Sequence, residues 1–252
     1  MAKKLTTAYI LSRLAEEGVR GFTTREFALL FRISRQKAYQ ILHRLKTRGF
    51  VKRLAQGRYA VVGLGDREVL GQPFFLGTRL VEPSYVSFWS ALHFYGWTEQ
   101  APRLILVANT RRSDQRQIEA YQFRLVRLTP KRFFGYQSTR QGNFEFPMAD
   151  PAKALVDSLY LPGYAGGVEE VAKALEVALE TVNVATLVSY AVQMGVKSLC
   201  SRLGFLLEGA GVDSDDLRDA ASQVYVKLDP SGPRRGRYDG RWRVIVNLSE
   251  GW

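Results

Sequence analysis

Side chains able to pair with nucleic-acid bases are concentrated between Ser34 and Arg48. Arg35, Gln36 and Gln40 suit base edges, because arginine can donate two parallel hydrogen bonds to guanine and glutamine can pair bidentately with adenine. Lys37, Tyr39 and Arg44 suit phosphate oxygens, and Ser34 stands at the start of the segment. The spacing assigns the sides. Ala38, Ile41, Leu42 and Leu45 recur at i, i+3, i+4 and i+7, the stripe that a helix turns to its core. Gln36, Gln40, His43 and Thr47 then lie opposite, flanked by Lys37 and Arg44. A second polar set, Lys52, Arg53, Gln56 and Arg58, follows closely. Its expected contacts are with the sugar-phosphate backbone or the minor groove, setting affinity and register more than sequence choice. For any single residue a solvated surface is the competing reading; the set in this context favours a polyanion.

Other residue types that could do chemistry are sparse. The chain has 2 histidines and 1 cysteine, so neither a Cys-based zinc site nor an internal disulfide can form. His93 reads as a capping or structural residue, Asp150 as a helix cap, and Asp157 as the partner of Lys153 in an ion pair on a helix surface. Gly163-Tyr164-Ala165-Gly166-Gly167 precedes a helical pattern and could present amides to an anion, but such a loop is usually only a loop. No nucleophile elbow, zinc-ligand pair or P-loop is present. The expectation is a protein that is not an enzyme and needs no cofactor or metal.

The elements that must hold the polar face in place are legible in order. A helix is expected from Thr6 or Thr7 to Gly18, with Ile10, Leu11 and Leu14 as its stripe. Thr23-Thr24-Arg25-Glu26 matches a capping box, with Phe22 and Phe27 at the staple positions, and starts a helix over Thr24 to Phe31. Ser34 is a natural N-cap for the helix that runs to Arg48 and stops at Gly49. Phe50 to Leu54 and Arg58 to Val62 read as a hairpin around Ala55-Gln56-Gly57. This succession, with Gly-Phe-Val after the basic helix and Gly-Arg-Tyr in the hairpin, resembles the winged-helix transcription regulators.

Charge agrees with that reading. Of the formal net charge of +12, residues 1–60 carry 14 Lys and Arg against 3 Asp and Glu, leaving 22 against 21 in the remainder. Positive charge confined to one module marks a face for a polyanion, because each neutralised phosphate releases counterions. A 252-residue chain with 46% hydrophobic and 24% charged residues fits two globular domains. The expected division is 1–65, a linker over 66–74, and 75–252. No apolar run is long enough to span a membrane, and the N-terminus lacks the apolar segment of a signal peptide, so a cytoplasmic protein is expected.

The larger region reads as mixed helix and strand, making the whole chain α+β. A helix is expected from Pro83-Ser84 to Tyr95, strands over Leu104 to Ala108, Gln122 to Leu128 and Phe144 to Pro147, and an arginine-rich loop with Arg111, Arg112 and Arg116. Asp150-Pro151 starts a helix to Tyr160. Further helical patterns cover Val168 to Glu180, Val184 to Met194, Lys197 to Leu207 and Ser214 to Gln223. Strands over Tyr225 to Leu228 and Trp242 to Asn247 flank a loop with Arg234, Arg235 and Arg237; with Arg241 and Arg243 these make a basic patch opposed by Asp213, Asp215, Asp216 and Asp219. A solvated surface and a second nucleic-acid or toxin-regulating patch both fit it.

Several short motifs here carry a more specific resemblance. Ser90-Ala91-Leu92-His93, Gly96 to Gln100 with Pro102, Phe133-Phe134-Gly135-Tyr136, Ala149-Asp150-Pro151 with Lys153 to Asp157, Gly166-Gly167, Arg202-Leu203-Gly204 and Arg241-Trp242-Arg243 are, in that order, similar to the AbiEi antitoxin family. The resemblance implies a repressor that binds repeats of double-stranded DNA in its own promoter. It also implies a functional link to a nucleotidyltransferase toxin with which no stable complex need form. The alternative is a stand-alone winged-helix regulator with no cognate toxin.

Overall fold

Thr6 starts the first helix, its hydroxyl accepting from the Tyr9 amide, and α1 runs Thr7–Glu16. This is a computed structural model describing residues 5–63, 68–100 and 104–248. The strand β1 (Gly21–Thr23) leads into α2 (Thr24–Leu30), where the capping box is complete: the Glu26 amide donates to the Thr23 hydroxyl and the Thr23 amide to the Glu26 carboxylate. The rings of Phe22 and Phe27 stand 5.3 Å apart, as the staple positions require. After a turn through Arg32, α3 spans Arg35–Thr47, followed by β2 (Val51–Ala55) and β3 (Arg58–Val61). The order in this sheet is β1-β3-β2, antiparallel throughout. Ile10, Leu14, Phe27, Leu42, Leu45 and Tyr59 are in the core between helices and sheet. Three-residue β1 lies below the length at which alternation registers in a sequence.

Leu64 to Arg67, where the expected linker begins, lie outside the described residues, as do Met1 to Lys4 and the motif residue Pro102. The rest of the expected linker is structured: a 3₁₀ turn covers Glu68–Gly71 and α4 (Pro73–Thr78) starts on the proline, with Val69 and Phe74 buried. Proline at N1 forfeits no helical hydrogen bond.

A six-stranded mixed sheet follows, built from β4 (Ser84–Val86), β5 (Leu104–Asn109), β6 (Asp114–Ile118), β7 (Tyr121–Arg127), β8 (Tyr136–Gln141) and β9 (Phe144–Ala149). Its order is β6-β7-β5-β4-β9-β8. The expected helix over 84–95 is corrected. Residues 84–86 are a buried strand paired to β5 on one side and β9 on the other, and only α5 (Trp89–Phe94) is helical. An apolar run shows the same composition in a buried strand and a buried helix. The arginine-rich loop is also corrected, since Arg116 lies in β6, an edge strand like β8.

Four helices pack beside the sheet: α6 (Pro151–Tyr160), α7 (Val168–Ala178), α8 (Val184–Gln193) and α9 (Lys197–Gly209). The pattern over Ser214 to Gln223 yields only a 3₁₀ turn at Asp215–Leu217. The chain closes with a small sheet of β10 (Val226–Lys227), β11 (Arg237–Asp239) and β12 (Val244–Val246), ordered β10-β12-β11. Of these, β11 falls in what reads as a loop.

The small N-terminal sheet is packed on both faces. Phe22 and Tyr59 turn to the helices, whereas Ala60 joins the core of the larger half. Gly21 is paired with Ala60 across β1 and β3, and a Cβ at Gly21 would come within 3.2 Å of the Phe75 ring. Small residues at this pair allow the sheet to lie flat against α4.

Candidate nucleic-acid interface

Ser34 caps α3 by accepting from the Lys37 amide, and the helix ends where Gly49 takes φ of 77°. Ala38, Ile41, Leu42 and Leu45 are buried as the periodicity requires. That leaves Arg35, Gln36, Lys37, Tyr39, Gln40, His43 and Arg44 exposed on the outer face. Tyr39 is 51% exposed. Among the described residues, no ion pair engages Arg35, Lys37 or Arg44, so their charge is available to a ligand. Ser34 differs from the others because its hydroxyl is occupied as the cap.

The outer face of α3 borders a cleft of 1290 Å³ shared with α1 and the α2–α3 turn. Lys37, Gln40 and Arg44 line it together with Arg13, Phe31 and Arg32. Arg32 is an addition that the helical pattern does not supply, because it lies in the turn, with φ of 51°. Arg13 is engaged by Glu16 and Glu17.

The hairpin residues divide into two pairs. Arg53 and Gln56 are exposed. Lys52 and Arg58 instead meet carboxylates of the larger half: Lys52 pairs with Glu119, and Arg58 lies 3.1 Å from Glu82, which also neighbours Arg79 at 3.7 Å. A shallow notch beside this contact is lined by Gln56, Arg58, Arg111 and Arg112.

Of the residues weighed for other chemistry, Asp150 and Asp157 have structural occupations, whereas the Nδ1 of His93, in the last turn of α5, is buried with no hydrogen-bond partner among the described residues. Lys153 and Asp157 are not on a surface: both are fully buried and paired with one another, which corrects the expected exposed ion pair. Asp157 also accepts from the Tyr85 hydroxyl at 2.9 Å and the Ser87 hydroxyl at 2.8 Å, and Lys153 Nζ stands 4.5 Å from the centre of the Phe134 ring. Burial pushes the Asp157 carboxyl above its usual range, against the pull of Lys153 and the two hydroxyls; burial and the Asp157 charge raise the Tyr85 phenol. Gly135, with φ of 66°, has no room for a Cβ, which would sit 2.8 Å from Tyr190 and 3.0 Å from Lys153. Tyr190 in turn donates to Asp150, the cap of α6. The motifs at 133–136 and 149–157, apart in sequence, thus converge on one buried polar cluster.

Gly204 and Trp242 likewise meet, the indole lying where a Cβ would stand, and the indole N–H donates to Glu208. The loop ahead of α7 is not suited to an anion, since Glu169 and Glu170 already occupy the first turn of that helix. Cys200 is buried and its thiol is pushed up to about 11 by desolvation, which suppresses thiolate reactivity. Among the described residues no group of three or more His, Cys, Asp or Glu could hold a metal, and no helix is long and apolar enough to cross a membrane.

The sequence matches no protein-family model and no curated protein. Among solved structures, the crystal structure of RV2827C protein from Mycobacterium tuberculosis is similar, with a TM-score of 0.57 at 13% identity, covering 96% of this chain and 92% of that one. At that identity the likeness is one of fold: the chain shares an α+β architecture with that protein over nearly its whole length.

Proposed function

We propose that residues 5–63 form a winged helix-turn-helix that binds double-stranded DNA with sequence preference, and that the protein is a transcriptional repressor. The observation that carries this reading is the outward side of α3, where Arg35, Lys37 and Arg44 are exposed and, among the described residues, without ion-pair partners, while the opposite side is buried. A helix-turn-helix places the N-terminal part of its second helix deepest in the major groove. That assigns base contacts to Arg35, Gln36 and Gln40, and phosphate contacts to Lys37, Tyr39 and Arg44. From the hairpin, Arg53 and Gln56 reach the backbone directly. The resemblance to AbiEi antitoxins adds the role of counteracting a nucleotidyltransferase toxin. The larger half, with its buried polar cluster and its helices, is then the antitoxin domain.

Fluorescence anisotropy of the full chain on a labelled duplex from its own upstream region tests the DNA part. With about six phosphates contacted, the slope of log K against log salt is near −5. Binding no tighter than to a random duplex of equal length would refute sequence-specific repression. Co-expression with a neighbouring nucleotidyltransferase gene tests the antitoxin part, growth rescue being the expected outcome.

A further inference from the structure

The basic patch near the C-terminus is ordered by a sheet. Register places Tyr238 opposite Ile245, and Lys227 beside Ile245 on the other side, so these three side chains share one face of the small sheet. Tyr225 and Arg243 lie just before β10 and β12, Arg243 with a left-handed φ of 54°, so contacts and not the strand period join them to this face. The Tyr225 and Tyr238 rings are 5.0 Å apart and edge to face, and the Arg243 guanidinium stands 5.6 Å from the Tyr225 ring centre. Val244 and Val246, on the opposite face, belong to the main core.

Ile245 at the centre of this face is fully buried, whereas Tyr238 and Arg243 at its margin are exposed. Tyr238 is 56% exposed, and Pro233 to Tyr238 are exposed without interruption. Arg241 is drawn off to Glu208 and Asp215. By contrast, no ion pair among the described residues engages Lys227, Arg234, Arg235 or Arg243, and Arg237, opposite Val246, falls on the other face of the sheet. Gly236 passes so close to the Val246 carbonyl that no side chain fits there.

We infer that this face is a second nucleic-acid site, specific for single strands and separate from the duplex-reading helix. A merely solvated sheet face needs no exposed tyrosine, and a simple phosphate cradle needs no aromatic ring. An aromatic platform edged by arginines supplies what an unpaired strand offers: a base face to stack on and phosphates to neutralise. A duplex hides its base faces and cannot use the Tyr238 ring. The arginines would serve any polyanion; the ring adds a stacking surface that every base can use, and competition by poly-glutamate separates a polypeptide from a nucleic acid.

The test is anisotropy of the full chain with a labelled single-stranded uridine 12-mer, in parallel with a duplex. Tyr238→Ala is expected to weaken single-strand binding on the order of ten-fold, the usual cost of losing one stacked base. Tyr238→Phe keeps the ring and should retain binding. The duplex affinity should be unmoved by either, while Gln40→Ala should leave the single-strand affinity intact. Unchanged uridine binding in Tyr238→Ala, with the fold verified by thermal melting, would overturn the inference. So would equal competition by poly-glutamate and by unlabelled oligonucleotide at matched charge, which would reduce the face to a polyanion patch.

Discussion

At the scale of single residues, the least expected finding is the position of Lys153 and Asp157. Their i, i+4 spacing is the pattern of a surface pair on a helix, and nothing in the surrounding types says that the face is buried. Burial arises because β4 and α8 cover α6, bringing Tyr85, Ser87 and Tyr190 against it from distant parts of the chain. Such contacts have no local periodicity, so they are illegible in a sequence. The pair should respond asymmetrically to substitution. Lys153→Met leaves a desolvated carboxylate unpaired and should cost about 3–5 kcal/mol. Adding Asp157→Asn removes that charge while keeping an oxygen that accepts from Tyr85 or Ser87, and should recover most of the loss. Urea midpoints of the two variants decide it; a double variant less stable than the single one would contradict this account. Asp150 shows the reverse case, since capping and proline at N1 are local, and the start of α6 reads directly from Asp150-Pro151.

Elements were legible where one face is apolar and the other polar. In α3 a serine cap, a stripe of four and a stopping glycine agree, and the expected range differs from the observed one by a residue at its C-terminal end. β6 and β8 escaped because they are the two edges of the large sheet and mostly exposed, so the alternation that identifies a half-buried strand is absent. β4 escaped for the opposite reason, being buried on both faces. Of the expected DNA contacts, those on α3 are exposed, with Lys37, Gln40 and Arg44 together on the cleft towards α1 and Arg35 on the α2 side, while two of the four on the hairpin are held by carboxylates. That division separates their roles under the proposed function. Gln40→Ala should cost roughly 1–3 kcal/mol on the preferred duplex and little on random DNA. Arg53→Ala should weaken every duplex alike and reduce the salt slope by about one unit. Equal losses on preferred and random duplexes for both variants would refute the assignment of bases to α3.

For the whole molecule, what matters is that the hairpin is shared between the two halves. Charge and periodicity suggest a DNA-reading module on a linker, and the described part of that linker is instead helical and packed. Gly21 and Ala60 make the contact, and two small residues carry almost no hydrophobic signal to announce it. Around this packed centre the pairs Lys52 with Glu119 and Arg58 with Glu82 sit 21 to 43% exposed. Exposed pairs of this kind contribute only about 0–1 kcal/mol to stability, so they are poorly suited as fasteners. Their larger consequence is electrostatic: two cations of the proposed wing are neutralised before any phosphate arrives. Replacing Glu82 and Glu119 by Gln removes the competing carboxylates without removing bulk. The double variant should keep its melting temperature, bind duplex DNA several-fold more tightly, and show a salt slope steeper by up to about −1.8, one phosphate for each released cation. If the affinity and the slope both stay at their native values, Lys52 and Arg58 take no part in the DNA interface, and the wing's contribution falls to Arg53 and Gln56.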